Sequence, residues 1–332
     1  MIRIAINGYG RIGRCILRTI FENKKEHKFN IIAINDLTDI KTIAHLTKYD
    51  STHGKFKYPI NFNHKYLFIK NHTIIFFSEK NPINLPWKLL NIDLVFECTG
   101  LFTTKKQVKQ HLLAGAKKVI ISAPSNAADA TIVYGVNHKK IKSTNNIISN
   151  ASCTTNCLAI VIKPLHKFIG IQKGLVNTIH SYTQDQCLVD NIHKDLCRAR
   201  SATQSIIPTK TSAIKTIDLI LPELSGKLNG LSMRVPTLNV SAIDLTFISK
   251  KNTCINEIHD IMYKSKSNIL HITQEPLVSC DYNHSSASAI FDTTQTKVIK
   301  NLIKIIAWYD NEWGFSNRMI DTGNYLFKLI KN

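Results

Sequence analysis

The residues of this sequence best suited to chemistry lie in one short stretch, Ser149-Asn150-Ala151-Ser152-Cys153-Thr154-Thr155-Asn156-Cys157. It follows a β-type run and precedes the apolar segment Leu158–Leu165, which reads as a helix. Cys153 therefore falls in a first helical turn, where the positive dipole end and free N–H groups lower a thiol pKa. Small hydroxyl neighbours leave room for a substrate and offer donors to an anion. Cys157, one turn deeper on the same face, reads as a packed thiol. An inert buried cysteine at 153 would not explain so polar a setting. Among 13 histidines, His180 stands out because it ends the apolar run Leu175-Val176-Asn177-Thr178-Ile179. A histidine at a strand end can meet Cys153 as a thiolate–imidazolium pair.

A second set of chemical residues opens the chain. Ile4-Ala5-Ile6-Asn7-Gly8-Tyr9-Gly10-Arg11-Ile12-Gly13 is a GxGxxG between a strand and a helix, and it holds three of the 13 glycines in the chain. Gly8 makes the tight turn, Gly10 admits a pyrophosphate to the backbone, and Gly13 lets helix and strand pack closely. The helix N-terminus supplies N–H groups and a positive dipole end for phosphates. Asp36 ends the next apolar run, 23 positions after Gly13, where a carboxylate grips ribose hydroxyls. It would repel a 2′-phosphate, which favours NAD over NADP.

The elements that must hold these residues fall into two grammars. In the first, strands at Ile2–Asn7, Phe29–Asn35, Asp93–Cys98 and Lys118–Ser122 alternate with helices at Arg11–Glu22 and Lys105–Ala114. An antiparallel insertion is expected over Ile60–Phe77. Such alternation predicts a parallel, doubly wound α/β sheet of Rossmann type. After Ile147–Asn150 the runs lengthen: Gly174–Tyr182, Leu228–Val235, Ser241–Ile248 and Leu302–Tyr309. They predict an α+β catalytic domain with a mostly antiparallel sheet. The expected boundaries are 1–151 for the dinucleotide-binding domain, joined by a C-terminal helix over about 316–332, and 152–315 for the catalytic domain.

Composition narrows the class. A chain of 332 residues with 44% hydrophobic content can bury two cores. It has no run of 18 apolar residues, and its first residues lack the features of a signal peptide, so a cytoplasmic protein is expected. Eight cysteines without CxxC spacing predict free thiols and no metal site. The charge is +20, from 43 basic and 23 acidic residues. The lysines are dispersed in ones and twos, so any nucleic-acid binding is expected to be non-specific.

The motifs INGYGRIGR, AIND, KYDSTHGKF, SNASCTTNC, SIIPTKT, LPELSGKLNG, RVPT and WYDNEWGFSNR together resemble the glyceraldehyde-3-phosphate dehydrogenase family along the whole chain. The resemblance implies an NAD-dependent, phosphorylating aldehyde oxidation through a thioester on Cys153, with His180 as its acid–base partner. It implies glyceraldehyde 3-phosphate and inorganic phosphate as partners. Their two anion sites are carried over to Ser152, Thr154, Thr183, Arg198, Thr211, Ser212 and Arg234. Cofactor contacts carry over to Gly8, Gly10, Arg11, Ile12, Gly13, Asp36, Lys80, Ser122 and Asn311. The family's usual homotetramer has a loop, here about 181–205, that reaches a neighbouring subunit. A related pattern, that of erythrose-4-phosphate dehydrogenase, shares most motifs but tends to lack the hydroxyl that Thr183 provides. Four departures stand out. Ser212 replaces a glycine, which is expected to shift the backbone there, and Lys80 replaces an arginine. Phe315 replaces a tyrosine, and Asn191-Ile192 replace a Leu-Pro pair associated with strict NAD use.

Overall fold

The first strand, β1 (Ile2–Asn7), buries Ile4, Ala5 and Ile6 completely, so both of its faces need cover. The structure, a computed structural model that describes residues 1–331, provides that cover in a first compact unit, Met1–Ser152 with the chain from Ser316 onward. After β1 come α1 (Arg11–Glu22), β2 (Phe29–Asn35), α2 (Ile40–Lys48), β3 (Ile60–Phe62), β4 (Tyr66–Ile69) and β5 (His72–Phe77). They are followed by β6 (Leu94–Glu97), α3 (Lys105–Leu113), β7 (Lys118–Ile121), β8 (Ala130–Thr131) and β9 (Ile147–Ser149).

These strands make one sheet in the order β3-β4-β5-β2-β1-β6-β7-β9-β8. From β5 to β9 every neighbouring pair is parallel. Numbered among themselves, those strands run 3-2-1-4-5-6, the doubly wound order of dinucleotide-binding sheets. β3 and β4 add antiparallel strands at the β5 edge, where the insertion was expected. The sequence reading missed α2, whose start is marked by Asp39 accepting from the Thr42 N–H.

The second unit, Cys153–Phe315, starts with α4 (Cys153–Ile169) and β10 (Ile171–Ser181). It continues through β11 (Ile207–Thr209), α5 (Ala213–Ile220), β12 (Leu228–Val235), β13 (Ser241–Ser249), α6 (Ile255–Lys264) and β14 (Leu270–Thr273). β15 (Ala289–Ile299) and β16 (Leu302–Tyr309) follow, and α7 (Trp313–Lys331) begins at its end. The sheet order is β11-β12-β10-β13-β16-β15-β14. Most pairings are antiparallel, as expected. Two are parallel, β10 with β12 and β14 with β15.

The missed elements have physical reasons. β11 and α5 form the crossover that a parallel β10–β12 pair requires, and long apolar strands alone do not reveal a crossover. β15 carries a register shift between Asp292 and Lys297, within the polar run Asp292-Thr293-Thr294-Gln295-Thr296, so its alternation is broken. α7 starts earlier than its amphipathic pattern because Asp310 Oδ1 accepts from the N–H groups of Glu312 and Trp313 at 2.9 and 2.7 Å. The last residue of the predicted C-terminal helix, 332, lies outside the described residues.

Candidate active site

In the second unit the site assembles at one end of the sheet. Just before α4, the buried Ala151 has φ +58°, a left-handed value that costs a non-glycine residue about 1–3 kcal/mol. The chain then enters the helix at Cys153. β10 delivers His180 one residue before its end, and the Cys153 Sγ lies 3.6 Å from His180 Nε2. The parallel register pairs His180 with Arg234, which is how β12 brings a guanidinium to the imidazole. His180 Nδ1 lies 2.6 Å from the Ser181 carbonyl oxygen and 2.7 Å from Arg234 Nη1, which itself donates to that oxygen at 3.0 Å. In the tautomer that donates from Nδ1 to the Ser181 carbonyl, the ring turns a lone pair at Nε2 towards the thiol.

The electrostatics differ from the expectation of a thiol activated by the helix end. Cys153 keeps some surface in reach of solvent, yet the protein packed around it pushes its pKa up. Arg234 and the N–H groups of Thr154 and Cys153 pull it down, but without offsetting that burial. Burial likewise pushes His180 down, to about 3, helped by Arg234, whose Nη1 lies 2.7 Å from Nδ1. In the free protein the pair therefore rests as thiol and imidazole. A proton passed from sulfur to nitrogen across the 3.6 Å contact would leave neither charge unpartnered.

Around this pair, Thr154 Oγ1 is 2.9 Å from the Tyr309 hydroxyl. Asn311 is buried, its Oδ1 accepting from the Ser181 and Ser241 hydroxyls at 3.0 and 2.9 Å. The amide is thereby fixed with its NH₂ group facing away from the serines. Arg234 Nε is buried without a hydrogen-bond partner, an orphan donor of the kind an anion satisfies. Tyr309, Ser181 and Ser241 escaped the sequence reading. They belong to three strands and meet only through the sheet register, which pairs Ser241 with Tyr309.

The other predicted anion-site residues make separate contacts of their own. Arg198 reaches Asp185, and its Nε donates to Thr209 Oγ1 at 2.9 Å. The Thr183 N–H donates to Gln186 Oε1 at 2.9 Å. Thr211 Oγ1 accepts from the Ala213 N–H at 3.2 Å, where α5 begins. Neighbouring Ser212 has φ −82°, a value any residue adopts, so the serine sits there without backbone strain. The charges of Arg198 and Asp185 are felt at Arg234, which links Arg198 electrostatically to the Cys153–His180 site. Ser152 ends the first unit and directly precedes Cys153.

In the first unit the glycines divide into two kinds. Gly8 has φ +83°, and a Cβ there would lie 2.6 Å from the Thr99 backbone nitrogen. A Cβ on Gly13 would lie 2.3 Å from the Gly8 carbonyl oxygen, whereas one on Gly10 would meet nothing within 4 Å. Gly10 thus faces open space at the start of α1, where no side-chain cap hydrogen bond is made. The Arg11 guanidinium is bound to both oxygens of Asp50, at 2.6 and 3.1 Å. Asp36 is pinned beside the glycine turn, its carboxylate accepting from the Tyr9 and Thr38 N–H groups at 2.7 and 3.1 Å. Lys80 is exposed beyond β5, and Ser122 follows β7. All of these flank the carboxyl ends of parallel strands, where doubly wound sheets bind ligands. The residues fit a dinucleotide.

The glycine geometry makes a test. Gly10→Ala is expected to keep the melting temperature within a few degrees while weakening NAD binding, because the methyl group fills space a pyrophosphate needs. Gly13→Ala is expected to lower stability by about 1–3 kcal/mol as well, the usual cost of overpacking. Calorimetric NAD titration alongside thermal melts separates the two, and equal behaviour of both variants would contradict this division.

A doubly wound dinucleotide-binding sheet, joined to a domain that sets a cysteine against a histidine, defines a nicotinamide-dependent oxidoreductase that carries a thiol at its site. Comparison with known proteins narrows the class. Residues 2–105 match the family described as glyceraldehyde 3-phosphate dehydrogenase, NAD binding domain, and residues 152–311 match its C-terminal domain. The chain is 52% identical over 326 residues to the plasmid-borne glyceraldehyde-3-phosphate dehydrogenase of Cupriavidus necator, with 97% of each chain covered. It is 50% identical over 323 residues to that of Pseudomonas aeruginosa (97% of each), and 48% over 333 to that of Xanthobacter flavus (99% of each). The chain belongs to the glyceraldehyde-3-phosphate dehydrogenase family.

Proposed function

We propose that this protein oxidises glyceraldehyde 3-phosphate with NAD and inorganic phosphate to 1,3-bisphosphoglycerate, as an enzyme of glycolysis and gluconeogenesis. The carrying observation is Cys153 Sγ set 3.6 Å from His180 Nε2, beside an arginine with an unpartnered buried donor. Cys153 passes its proton to His180 as its sulfur bonds to the aldehyde carbon, giving a hemithioacetal. The imidazolium stabilises the developing oxyanion and then returns as base for the hemithioacetal hydroxyl. Bound NAD supplies the acceptor for the hydride that this carbon must lose. Arg234 and the hydroxyl of Thr154 offer donors to one anion, and Arg198, Thr183, Thr211 and Ser212 to the other. Phosphate attack on the thioester then breaks the C–S bond, and His180 is placed to reprotonate the sulfur. Gly8, Gly10, Arg11, Ile12, Gly13, Asp36, Lys80, Ser122 and Asn311 would hold the dinucleotide. Asn311 suits the carboxamide because two serines have already oriented its amide.

Steady-state assays test this reading directly. Glyceraldehyde 3-phosphate is expected to exceed erythrose 4-phosphate in kcat/KM, with turnover dependent on added phosphate. Turnover without phosphate, or a preference for erythrose 4-phosphate, would overturn it. NAD is expected to exceed NADP by at least about tenfold in kcat/KM, roughly 1.4 kcal/mol. The reason is Asp36: its pinned carboxylate cannot swing away from a 2′-phosphate, and exposed Leu37 offers that group no hydroxyl. Asp36→Gly should narrow the gap, whereas parity of the two cofactors in the unmutated enzyme would contradict this role.

Exposed apolar residues support a homotetramer. Leu175 and Ile179 share a face of β10, and Leu188, Val189, Ile192 and Leu196 follow on the loop beyond it. Among the described residues no helix is long and apolar enough to cross a membrane, and the eight cysteines are free thiols, which supports a cytoplasmic setting.

A further inference from the structure

The first unit contains a buried carboxylate that the reaction scheme does not use. Glu97, at the end of β6, is 1% exposed, and no lysine or arginine is bonded to it among the described residues. Its Oε2 accepts from Asn7 Nδ2 at 2.6 Å and from His111 Nε2 at 2.9 Å. Its Oε1 accepts from the Thr99 N–H at 2.8 Å and from the Thr99 hydroxyl. Each oxygen of Glu97 is thus engaged by two polar groups. The orientation of His111 is fixed from behind. The Trp87 indole N–H, which can only donate, lies 3.0 Å from His111 Nδ1, so the ring proton is on Nε2 and points at Glu97.

The network ends on the glycine turn. Asn7, which precedes Gly8, donates to Glu97 and accepts from Asn35 Nδ2 at 2.7 Å. Asn35 in turn accepts from the Glu79 N–H at 2.9 Å, next to Lys80. Thr99 is held so close to Gly8 that a Cβ on that glycine would lie 2.6 Å from both its nitrogen and its Cγ2. One carboxylate thereby ties together the carboxyl ends of β1, β2 and β6, the strand ends outside which a dinucleotide binds.

We infer that Glu97, oriented by His111 and Trp87, is a positioning residue for NAD: it locks the Thr99 turn against Gly8 and so sets the backbone that receives the cofactor. The inference rests on the NAD reading above. Glu97→Gln leaves one acceptor oxygen for two pairs of donors. At least one N–H donor in this buried site is then stranded, and the turn must move. In the full-length enzyme, Glu97→Gln is expected to raise the Kd and KM for NAD by about tenfold or more. Its kcat at saturating NAD should change less than about threefold, and Cys153 alkylation should keep its wild-type rate. A lowered melting temperature with an unchanged NAD Kd, measured well below the melt, would reduce Glu97 to a stability role and overturn the inference. Should Glu97→Gln fail to fold, Thr99→Val removes only the hydroxyl link. It should weaken NAD binding several-fold, with Thr99→Ser restoring it to within about twofold. An unchanged Kd in Thr99→Val would equally overturn the inference. Wild-type protein that neither binds nor reduces NAD would instead defeat the NAD reading itself.

Discussion

Cys153→Ser is expected to lower phosphorylating dehydrogenase turnover by more than about a thousandfold while leaving the NAD Kd within about twofold of wild type. The geometry explains why serine cannot substitute. Burial already pushes the pKa of the thiol up, so in the proposed reaction Cys153 gives its proton to His180 rather than relying on the helix end alone. A hydroxyl is a far weaker acid than a thiol, and Nε2 at this distance would seldom take its proton. An alkoxide is also a poorer leaving group than a thiolate when phosphate attacks, so both half-reactions suffer. Single-turnover measurement of NADH formation against titrated NAD binding separates chemistry from affinity. A variant retaining a tenth of wild-type kcat would show that another residue is the nucleophile.

His180→Asn is expected to lower kcat by about 10² to 10⁴, the usual worth of a positioned acid–base group. It should also slow alkylation of Cys153 at neutral pH, because the sulfur loses its proton acceptor. The alkylation rate of the variant should keep climbing into the alkaline range, as the raised thiol pKa requires. Coincident alkylation profiles for variant and wild type from pH 5 to 9 would show the two residues to be uncoupled. The same substitution carries a stability signature. The His180 pKa is lowered to about 3 in the fold, whereas an unfolded histidine titrates near 6.5. Below about pH 6.5 the unfolded chain gains a proton that the folded one refuses. The wild type should therefore lose stability as pH falls from about 6.5 towards 3, and the Asn variant should be spared that loss. Urea midpoints at pH 7 and pH 4.5 measure it, and an equal fall for both proteins would contradict the lowered pKa.

Local stereochemistry was legible in the sequence by itself. The spacing of Gly8, Gly10 and Gly13 between a strand and a helix follows from backbone sterics within a few residues. The apolar runs that became β1, β2, β6, β10, β12, β13 and β16 carry their period in their own side chains. Cys153 at a helix start is likewise a local fact. Tertiary structure decided the rest, because burial and register join residues far apart in the chain. A helix N-terminus alone would lower the pKa of Cys153, but the surrounding protein raises it. The β10–β12 pairing is parallel, and that register sets Arg234 beside His180. Asn311 owes its orientation to serines 130 and 70 positions away. The Glu97 network joins Asn7 of β1, His111 of α3 and Trp87 of the turn before β6. No window of sequence holds both partners of such contacts, so periodicity and propensity are silent about them. Only the folded sheet brings them within reach of one another.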